Sequence, residues 1–441
     1  MKSKINSLYF AIFFIAQATL AYEIVLMRLL HIVQFAELSS VVISLALLGF
    51  GYSGVFCHYF KKQQPQIFII TNAVLFAVLA PISFYATQFL DFYSLSLVWD
   101  ISKLWKLFLW FAVLSVPFFL ASNTIVYTLA SFKDQIKNIY CADLIGSGVG
   151  ALLGIYFISL LKLEFIFAGV VLSASASVIC FYYYFKNKIP FSFLLFTAAF
   201  VGALSFVPIN ISEYKALEKA KLIPGTQINE QISLPKHLIT ITENPEQPIR
   251  YAPGLSFLYP ASIPEQVAIY FDANSFVAID KQQRLPQRSQ PHYTKSCLNY
   301  LVYSMQRPRE TILKIGLGGY QKLAFISPTS EATIIEPRQI FETLNSNSKI
   351  AKYLSLYEDL DNIEFKFLPL ETHLREKEKK YSLIDLSMSG ISSTKSGENS
   401  GQSSKYLSIE YISFLKEHLN DRGILAIELW NTYPFLALER L

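Results

Sequence analysis

The sequence predicts an α-helical membrane bundle of about seven spans, followed by a small antiparallel β subdomain and an α/β domain with a parallel sheet. Two patterns indicate this fold class. Residues 1–208 consist of long apolar runs with short polar breaks, and residues 306–441 alternate short strands with helices. Hydrophobic residues make up 52% of the 441 residues and charged residues only 16%. This composition excludes an ordinary soluble protein.

The seven spans are predicted because crossing a bilayer takes roughly 20 apolar residues. The apolar runs lie at about 7–30, 38–59, 67–89, 106–130, 139–161, 164–185 and 189–208. Charged residues, mainly lysines, occupy the breaks between them. We therefore expect a multi-pass protein of the cell (inner) membrane, with the lipid bilayer as a partner.

The orientation in the membrane stays open at this point. An N-terminus inside the cell places eight lysines in cytoplasmic segments and three in outer loops, in accord with the positive-inside rule. An odd number of spans then puts the polar half outside, together with Lys215, Lys219 and Lys221. The count is then eight lysines in cytoplasmic segments against six outside. This difference is too small to decide on which side of the membrane the polar half lies.

Two features within the spans predict helix packing. Asp143 in the fifth span is the expected partner of Arg28 in the first, either as a structural ion pair or on a proton or substrate path. Gly146, Gly150 and Gly154 lie four residues apart and predict a smooth face for a close helix neighbour.

Residues 209–305 are predicted to form a linking helix and the antiparallel β subdomain. The helix covers Ile209 to Lys221, and the strands cover His237 to Thr242, Val267 to Phe271 and Phe276 to Ile279. Pro-Gly, Asn-Pro and Asp-Ala-Asn turns separate the strand-like runs.

The α/β domain, residues 306–441, is predicted to hold five parallel strands. They lie at 311–316, 332–335, 363–367, 382–386 and 424–429, with helices at about 319–327, 338–355 and 406–420. The turn Gly316-Leu317-Gly318-Gly319 follows the first strand, and Glu336 ends the second.

This layout is typical of a Rossmann-like nucleoside-binding domain. Glycines at the first turn let the backbone approach a ligand, and a carboxylate after the second strand accepts both ribose hydroxyls. Gly316, Gly318, Gly319 and Glu336 are therefore the predicted binding residues. A domain that kept the tight turn but lost its ligand is the alternative, because Tyr320 stands where many such loops have a third glycine.

Three residues near the ends of later strands are candidates for catalysis. Asp385 and Ser387 lie two apart in the fourth strand and so share a face, and Glu371 follows the third strand. Asp385 is alternatively a buried, paired carboxylate. The small, polar segment 388–405 is either an active-site lid or an insertion.

Net charge and cysteine spacing give no indication of a nucleic-acid-binding, disulfide-rich or metal-binding protein. The net charge of +5 is modest and follows the membrane topology, so no nucleic-acid partner is expected. The four cysteines show no paired spacing, so neither a disulfide framework nor a metal site is expected.

Several short motifs occur in an order that resembles the spermidine synthase family of aminopropyltransferases, in particular bacterial members fused to an N-terminal membrane domain. The resemblance covers nearly the whole chain. Its motifs are Ala21 to Leu29, Tyr140 to Gly146, Ala252 to Ser256, Ile315 to Gly319, Ile335 to Pro337, Tyr381 to Ile384, Tyr406 to Tyr411 and His418 to Leu425.

The resemblance implies a fold of the S-adenosylmethionine-dependent transferase type and no metal. The donor would be decarboxylated S-adenosylmethionine or S-adenosylmethionine, and the acceptor a polyamine or another amine. In the family an aspartate after the fourth strand helps to deprotonate the amine. Ser387 stands at that position here and Pro369 at that of the acid after the third strand, so Asp385 or Glu371 would have to substitute. The family fold continues beyond the fifth strand, so the domain is expected to be incomplete.

Two functions follow. The first is an integral membrane aminopropyl or methyl transferase. The second is a catalytically inactive membrane sensor, binding or transport-associated protein with a relic nucleotide fold. A second copy of the chain is a candidate partner for either.

Overall fold

A computed structural model of the chain gives the fold. It describes residues 2–34, 36–59, 64–90, 92–93, 96–97, 100–160, 165–187, 191–204, 206–234, 237–281, 293–307, 309–316, 323, 325–327, 329–335, 338–347, 349–358, 361–376, 379–387 and 408–428. The chain divides into two compact units, Met1–Ser212 with Ser233–Lys236, and Glu213–Ile232 with His237–Leu441.

The first unit is helical. Its helices are α1 (Lys2–Val33), α2 (Ala36–Tyr59), α3 (Pro65–Gln88), α4 (Leu104–Ser131), α5 (Ile136–Leu160), α6 (Ala168–Tyr184) and α7 (Phe191–Leu204). By length and composition, α1 to α5 are able to cross a membrane, whereas α6 and the apolar part of α7 are shorter. Five of the seven predicted spans thus correspond to helices that are long and apolar enough to cross a membrane. The sixth run is shorter than predicted because residues 165–167 form a turn before α6.

The glycine face of α5 packs on α1, as predicted. A Cβ atom at Gly146 would collide with the carbonyl oxygen of Phe13, and one at Gly150 with that of Gln17. At Gly154 a Cβ would lie 3.1 Å from the Cβ of Ile24. The contacts advance along both helices in the same direction, so α1 and α5 are parallel and begin at the same end of the unit.

The same register shows that the predicted pair of Arg28 and Asp143 is wrong. Because Gly146 is level with Phe13, Asp143 is level with Phe10. Arg28 lies eighteen residues farther along α1, which is about 27 Å at a rise of roughly 1.5 Å per residue. A side-chain contact cannot bridge that separation.

Helix α6 runs antiparallel to α1. Ser7 Oγ donates to the carbonyl of Cys180 (2.7 Å), whereas Gln17 Nε2 donates to Ser173 Oγ (2.9 Å). The first segment of the unit ends at Ser212, whose N–H donates to the carbonyl of Val33 at the end of α1 (2.8 Å). The chain thus leaves the helical unit on the face where α1 ends, opposite to the face of its own N-terminus.

The antiparallel β subdomain is confirmed. It consists of β1 (Gln227–Ser233), β2 (Leu238–Glu243), β3 (Gln266–Phe271) and β4 (Ser275–Asp280), in that spatial order. The pairs β2–β3 and β3–β4 are antiparallel. The predicted linking helix is shorter than expected, since α8 covers only Ala216–Lys221.

The second sheet is parallel, with β5 (Thr311–Ile315) in the middle. Its spatial order is β7 (Ile363–Lys366), β6 (Glu331–Ile335), β5, β8 (Tyr381–Ser387) and β9 (Leu419–Glu428). All four neighbouring pairs are parallel, which confirms the predicted sheet and a Rossmann-like arrangement. The core on one face contains Leu313, Ile384 and Leu415.

The helices of this domain are α9 (Tyr300–Ser304), α10 (Arg338–Asn347), α11 (Ala351–Glu358), α12 (Leu370–Glu376) and α13 (Ile409–Glu417). The single helix predicted at 338–355 is divided into α10 and α11. Helix α10 ends at Asn347, so the break follows an Asn- and Ser-rich run, whose side chains are poor helix formers. Most of the helix predicted at 319–327 lies outside the described residues.

Candidate functional site

The carboxyl end of the parallel sheet holds the candidate site. The chain passes from β5 to β6 on one side and returns to β8 on the other, so the direction of winding changes between β5 and β8. In open α/β sheets a ligand binds in the crevice at such a switch point. Gly316 follows β5 there, and Ser387 is the last residue of β8.

Gly316 has the backbone conformation that a glycine turn requires. Its φ angle is +75°, in the left-handed region that favours glycine. Its N–H donates to the carbonyl of Ile335 at the end of β6 (3.0 Å). Gly316 therefore has the conformation of a tight turn directly after β5, and its predicted role in binding stays a prediction.

The other predicted binding residues cannot be placed. Gly318, Gly319 and Glu336 lie outside the described residues, as does the segment 388–405. Their predicted roles stay predictions.

Ser387 ends one strand of the parallel sheet and Glu371 follows another, and β6 and β5 lie between those strands. Ser387 pairs with Glu428 in the β8–β9 register. Glu371 is half-buried in the first turn of α12, which follows β7. Their roles in catalysis likewise stay predictions.

Asp385 is buried and paired within the sheet. Its Oδ2 accepts hydrogen bonds from the Tyr303 hydroxyl (2.6 Å) and from Lys314 Nζ (3.1 Å). The Lys314 side chain is fully buried, and Lys314 is the direct neighbour of Asp385 in the β5–β8 register. This geometry favours the second interpretation of Asp385, a buried carboxylate whose charge is matched.

Lys314 and Tyr303 were missed by the sequence analysis. A signal was present, because Lys314 interrupts an apolar parallel strand, and such strands are buried on both faces. A buried charge needs a partner, and Asp385 interrupts another strand of the same sheet. Tyr303 gave no such signal, since it comes from a short helix outside the sheet.

Arg338 and Phe367 form a second pair at the sheet edge that the sequence analysis did not find. The guanidinium carbon of Arg338 lies 5.3 Å from the centre of the Phe367 ring. Arg338 begins α10, and Phe367 follows β7. This cation–π contact places a positive charge and an aromatic face near the carboxyl end of β7.

Helix α12, which carries Glu371, is held to the start of β8. His373 Nε2 lies 2.8 Å from the Tyr381 hydroxyl, and both side chains are buried. Burial raises the pKa of the Tyr381 hydroxyl above its usual range.

Within the described part of the chain, no group of three or more His, Cys, Asp or Glu residues could hold a metal ion.

Comparisons with known proteins add little to this geometry. No family model matches the chain, and no curated protein matches it. Among solved structures, spermidine synthase from Thermotoga maritima is similar over 48% of this chain and 60% of its own, with 13% sequence identity and a TM-score of 0.33. The chain thus spans less than two thirds of that enzyme, and a likeness of this size assigns neither a family nor a function.

Proposed function

We propose that the chain is an integral membrane transferase. Its α/β domain binds S-adenosylmethionine or decarboxylated S-adenosylmethionine and transfers a methyl or aminopropyl group to an amine such as a polyamine. The observation that carries the proposal is Gly316, with its positive φ directly after the central strand of a parallel sheet and at the switch point. The family resemblance of the sequence motifs supplies the donor class.

The nucleoside would lie across the carboxyl ends of β5 and β6. The turn that begins at Gly316, with Gly318 and Gly319, would pass close to the donor, and Glu336 would accept the ribose hydroxyls. Arg338 and Phe367 line the same edge farther out, where an aromatic face suits a purine.

Transfer needs a neutral amine. Its nitrogen forms a bond to the donor carbon while the carbon–sulfur bond breaks, and the electron pair of that bond stays on sulfur. A carboxylate must take the proton of the amine. We propose Glu371 for this role rather than Asp385, because Lys314 and Tyr303 already engage Asp385; Ser387 would orient the amine.

A second candidate function is a membrane sensor, binding or transport-associated protein that no longer catalyses transfer. The same pairing of Asp385 favours it, because a carboxylate tied to a buried lysine is a poor base. The serine at position 387, where the family has an aspartate, points the same way.

The two candidates differ in the orientation that they require. S-adenosyl donors are cytosolic, and the chain leaves the helical unit on the face opposite to its N-terminus. The transferase therefore requires an N-terminus outside the cytoplasm. The second candidate is compatible with the opposite orientation, which the lysines near the start of the chain favour.

The decisive experiment measures binding and turnover on the purified full chain in detergent. Isothermal titration with each donor tests binding, and mass spectrometry of products formed with putrescine tests transfer. Binding with product supports the transferase, and binding without product supports the second candidate. If neither donor binds, the S-adenosyl proposal is wrong.

A further inference from the structure

A groove opens between the first halves of α1 and α5. Its volume is about 470 Å³, within the roughly 300–1,000 Å³ that is usual for small-molecule sites. It belongs entirely to the helical unit and does not depend on what the second unit binds.

The groove changes from polar to apolar along its length. Asn6, Tyr9 and Asn138 line it near the helix ends, and Asn138 Nδ2 donates to the Tyr9 hydroxyl (3.0 Å). Phe13 and Ile145 line it farther along the helices. It narrows where the backbones of α1 and α5 meet at Gly146. This gradient matches an amphiphile that enters from the membrane interface.

The face around the mouth of the groove is basic. Lys133 and Lys137 are exposed just before and at the start of α5, with Asp134 between them. Lys186 is also exposed, and it lies on the same face, since the preceding Tyr184 packs against Phe132 beside α5 (ring centres 5.5 Å apart).

We propose that the groove binds an anionic glycerophospholipid. Its acyl chain would lie along Phe10, Phe13 and Ile145, and its phosphate would face Lys133 and Lys137. The excess of lysine over aspartate at the mouth is the reason to choose an anionic lipid over a neutral lipid or a second copy of the chain.

Native mass spectrometry of the full chain in detergent tests the headgroup, with dioleoyl-phosphatidylglycerol and dioleoyl-phosphatidylcholine as the two probes. We expect phosphatidylglycerol to bind more tightly. The double variant Lys133→Gln/Lys137→Gln should lose about fivefold in affinity per lysine, since each lysine near an anionic surface contributes roughly 1 kcal/mol. The matched control is Lys103→Gln/Lys106→Gln, at the start of α4, which should bind as the unchanged protein does.

A second pair of variants tests the groove itself. Ala142→Trp fills the groove and should abolish preferential binding, whereas Leu144→Trp, at an exposed position of α5 outside the groove, should not. Lys133 and Lys137 are exposed, so their double variant tests the proposal even if Ala142→Trp does not fold.

Three results would overturn the proposal. The first is equal affinity for the two lipids, and the second is unchanged phosphatidylglycerol binding by the Lys133→Gln/Lys137→Gln variant. The third concerns Cys141, which is exposed and lines the groove. If oxidation with copper phenanthroline links two copies through Cys141, is blocked by Cys141→Ser and is not suppressed by phosphatidylglycerol, the groove is a protein interface.

Discussion

The charged pair in the second sheet shows how single residues decide between a structural and a catalytic role. Lys314 and Asp385 are neighbours on the two central strands, and both are buried. Moving two charges out of water is costly, and mutual attraction offsets that cost only where the geometry is good and further hydrogen bonds are made. The hydrogen bond from Tyr303 supplies one of these.

Replacing Asp385 with alanine should destabilise the α/β domain by about 3–5 kcal/mol, because a buried lysine then loses its carboxylate. The double variant Lys314→Met/Asp385→Leu should recover most of that loss, since both charges are removed together. Pulse proteolysis of the full chain in urea measures the change.

The same variants test the catalytic role of Asp385. If Asp385→Asn folds normally and loses only product formation, Asp385 is a catalytic base and the structural interpretation is wrong. A double variant no more stable than Asp385→Ala would also contradict the pairing argument.

A substitution at Gly316 gives the most direct test of nucleoside binding. Gly316→Ala should cost about 1 kcal/mol or more in stability, because alanine is strained at a φ of +75°. It should also weaken donor binding, which isothermal titration measures. Gly254→Ala is the control, since Gly254 has a φ of +72° in a loop outside the parallel sheet. Equal loss of donor affinity in both variants would show a general effect of misfolding.

At the residue scale the sequence predicted a glycine in a special conformation after the first strand, but not the contacts of Asp385. Gly316 was found because a glycine after a buried strand is a local pattern. The contacts of Asp385 join residues 71 and 82 positions away in the chain. No local pattern contains that information.

Among the elements, the contact of α1 with α5 is the one that the sequence anticipated best. Glycines four residues apart lie on one face of a helix, so Gly146, Gly150 and Gly154 together mark a surface for close packing. The pattern did not show which helix packs against this face, or whether that helix runs parallel or antiparallel to α5. The structure supplies α1, in parallel orientation, and thereby separates Asp143 from Arg28.

Substitution on this face should separate the two helices. In Gly150→Val the new side chain meets the backbone of Gln17, and overpacking of this kind costs about 1–3 kcal/mol or more. Gly148→Val is the matched control on the same helix, because a Cβ there has no neighbour within 4 Å. Thermal unfolding in detergent should show a lower apparent Tm for Gly150→Val only. Equal shifts in the two variants would contradict the assigned face.

Four strands of the parallel sheet were predicted closely, whereas β9 begins at Leu419, five residues before its predicted start. A strand needs only a short apolar run between turn residues, and β5 to β8 lie within one or two residues of their predicted bounds. The helix predicted at 338–355 is interrupted after Asn347, at the end of an Asn- and Ser-rich run of poor helix formers.

At the level of the whole molecule, the path of the chain through the helical unit decides on which face of that unit the chain leaves it. Parallel α1 and α5 imply that α2, α3 and α4 pass back and forth between them, and α6 then returns toward the face of the N-terminus. The hydrogen bond from Ser212 to Val33 ends this path on the opposite face.

The two termini of the chain should therefore lie on opposite sides of the membrane. Periplasm-active and cytoplasm-active reporters, fused in turn before Met1 and after Leu441, measure this. Reporters active on the same side at both ends would contradict the path described for the helical unit. Cytoplasmic activity at the C-terminal end favours the transferase, and activity outside favours the binding or transport-associated protein.

The sequence by itself determined the division into an apolar helical half and an α/β half, the parallel strands and the glycine face of α5. These features depend on composition and on periodicity over a few residues, which are local properties of the chain. Only the tertiary structure decided that Asp385 pairs with Lys314, that Asp143 lies far from Arg28, and that the helical unit ends on the face opposite to its N-terminus. Each of these depends on residues distant in sequence and on the register in which two elements pack, and that register is set by contacts along both of them at once.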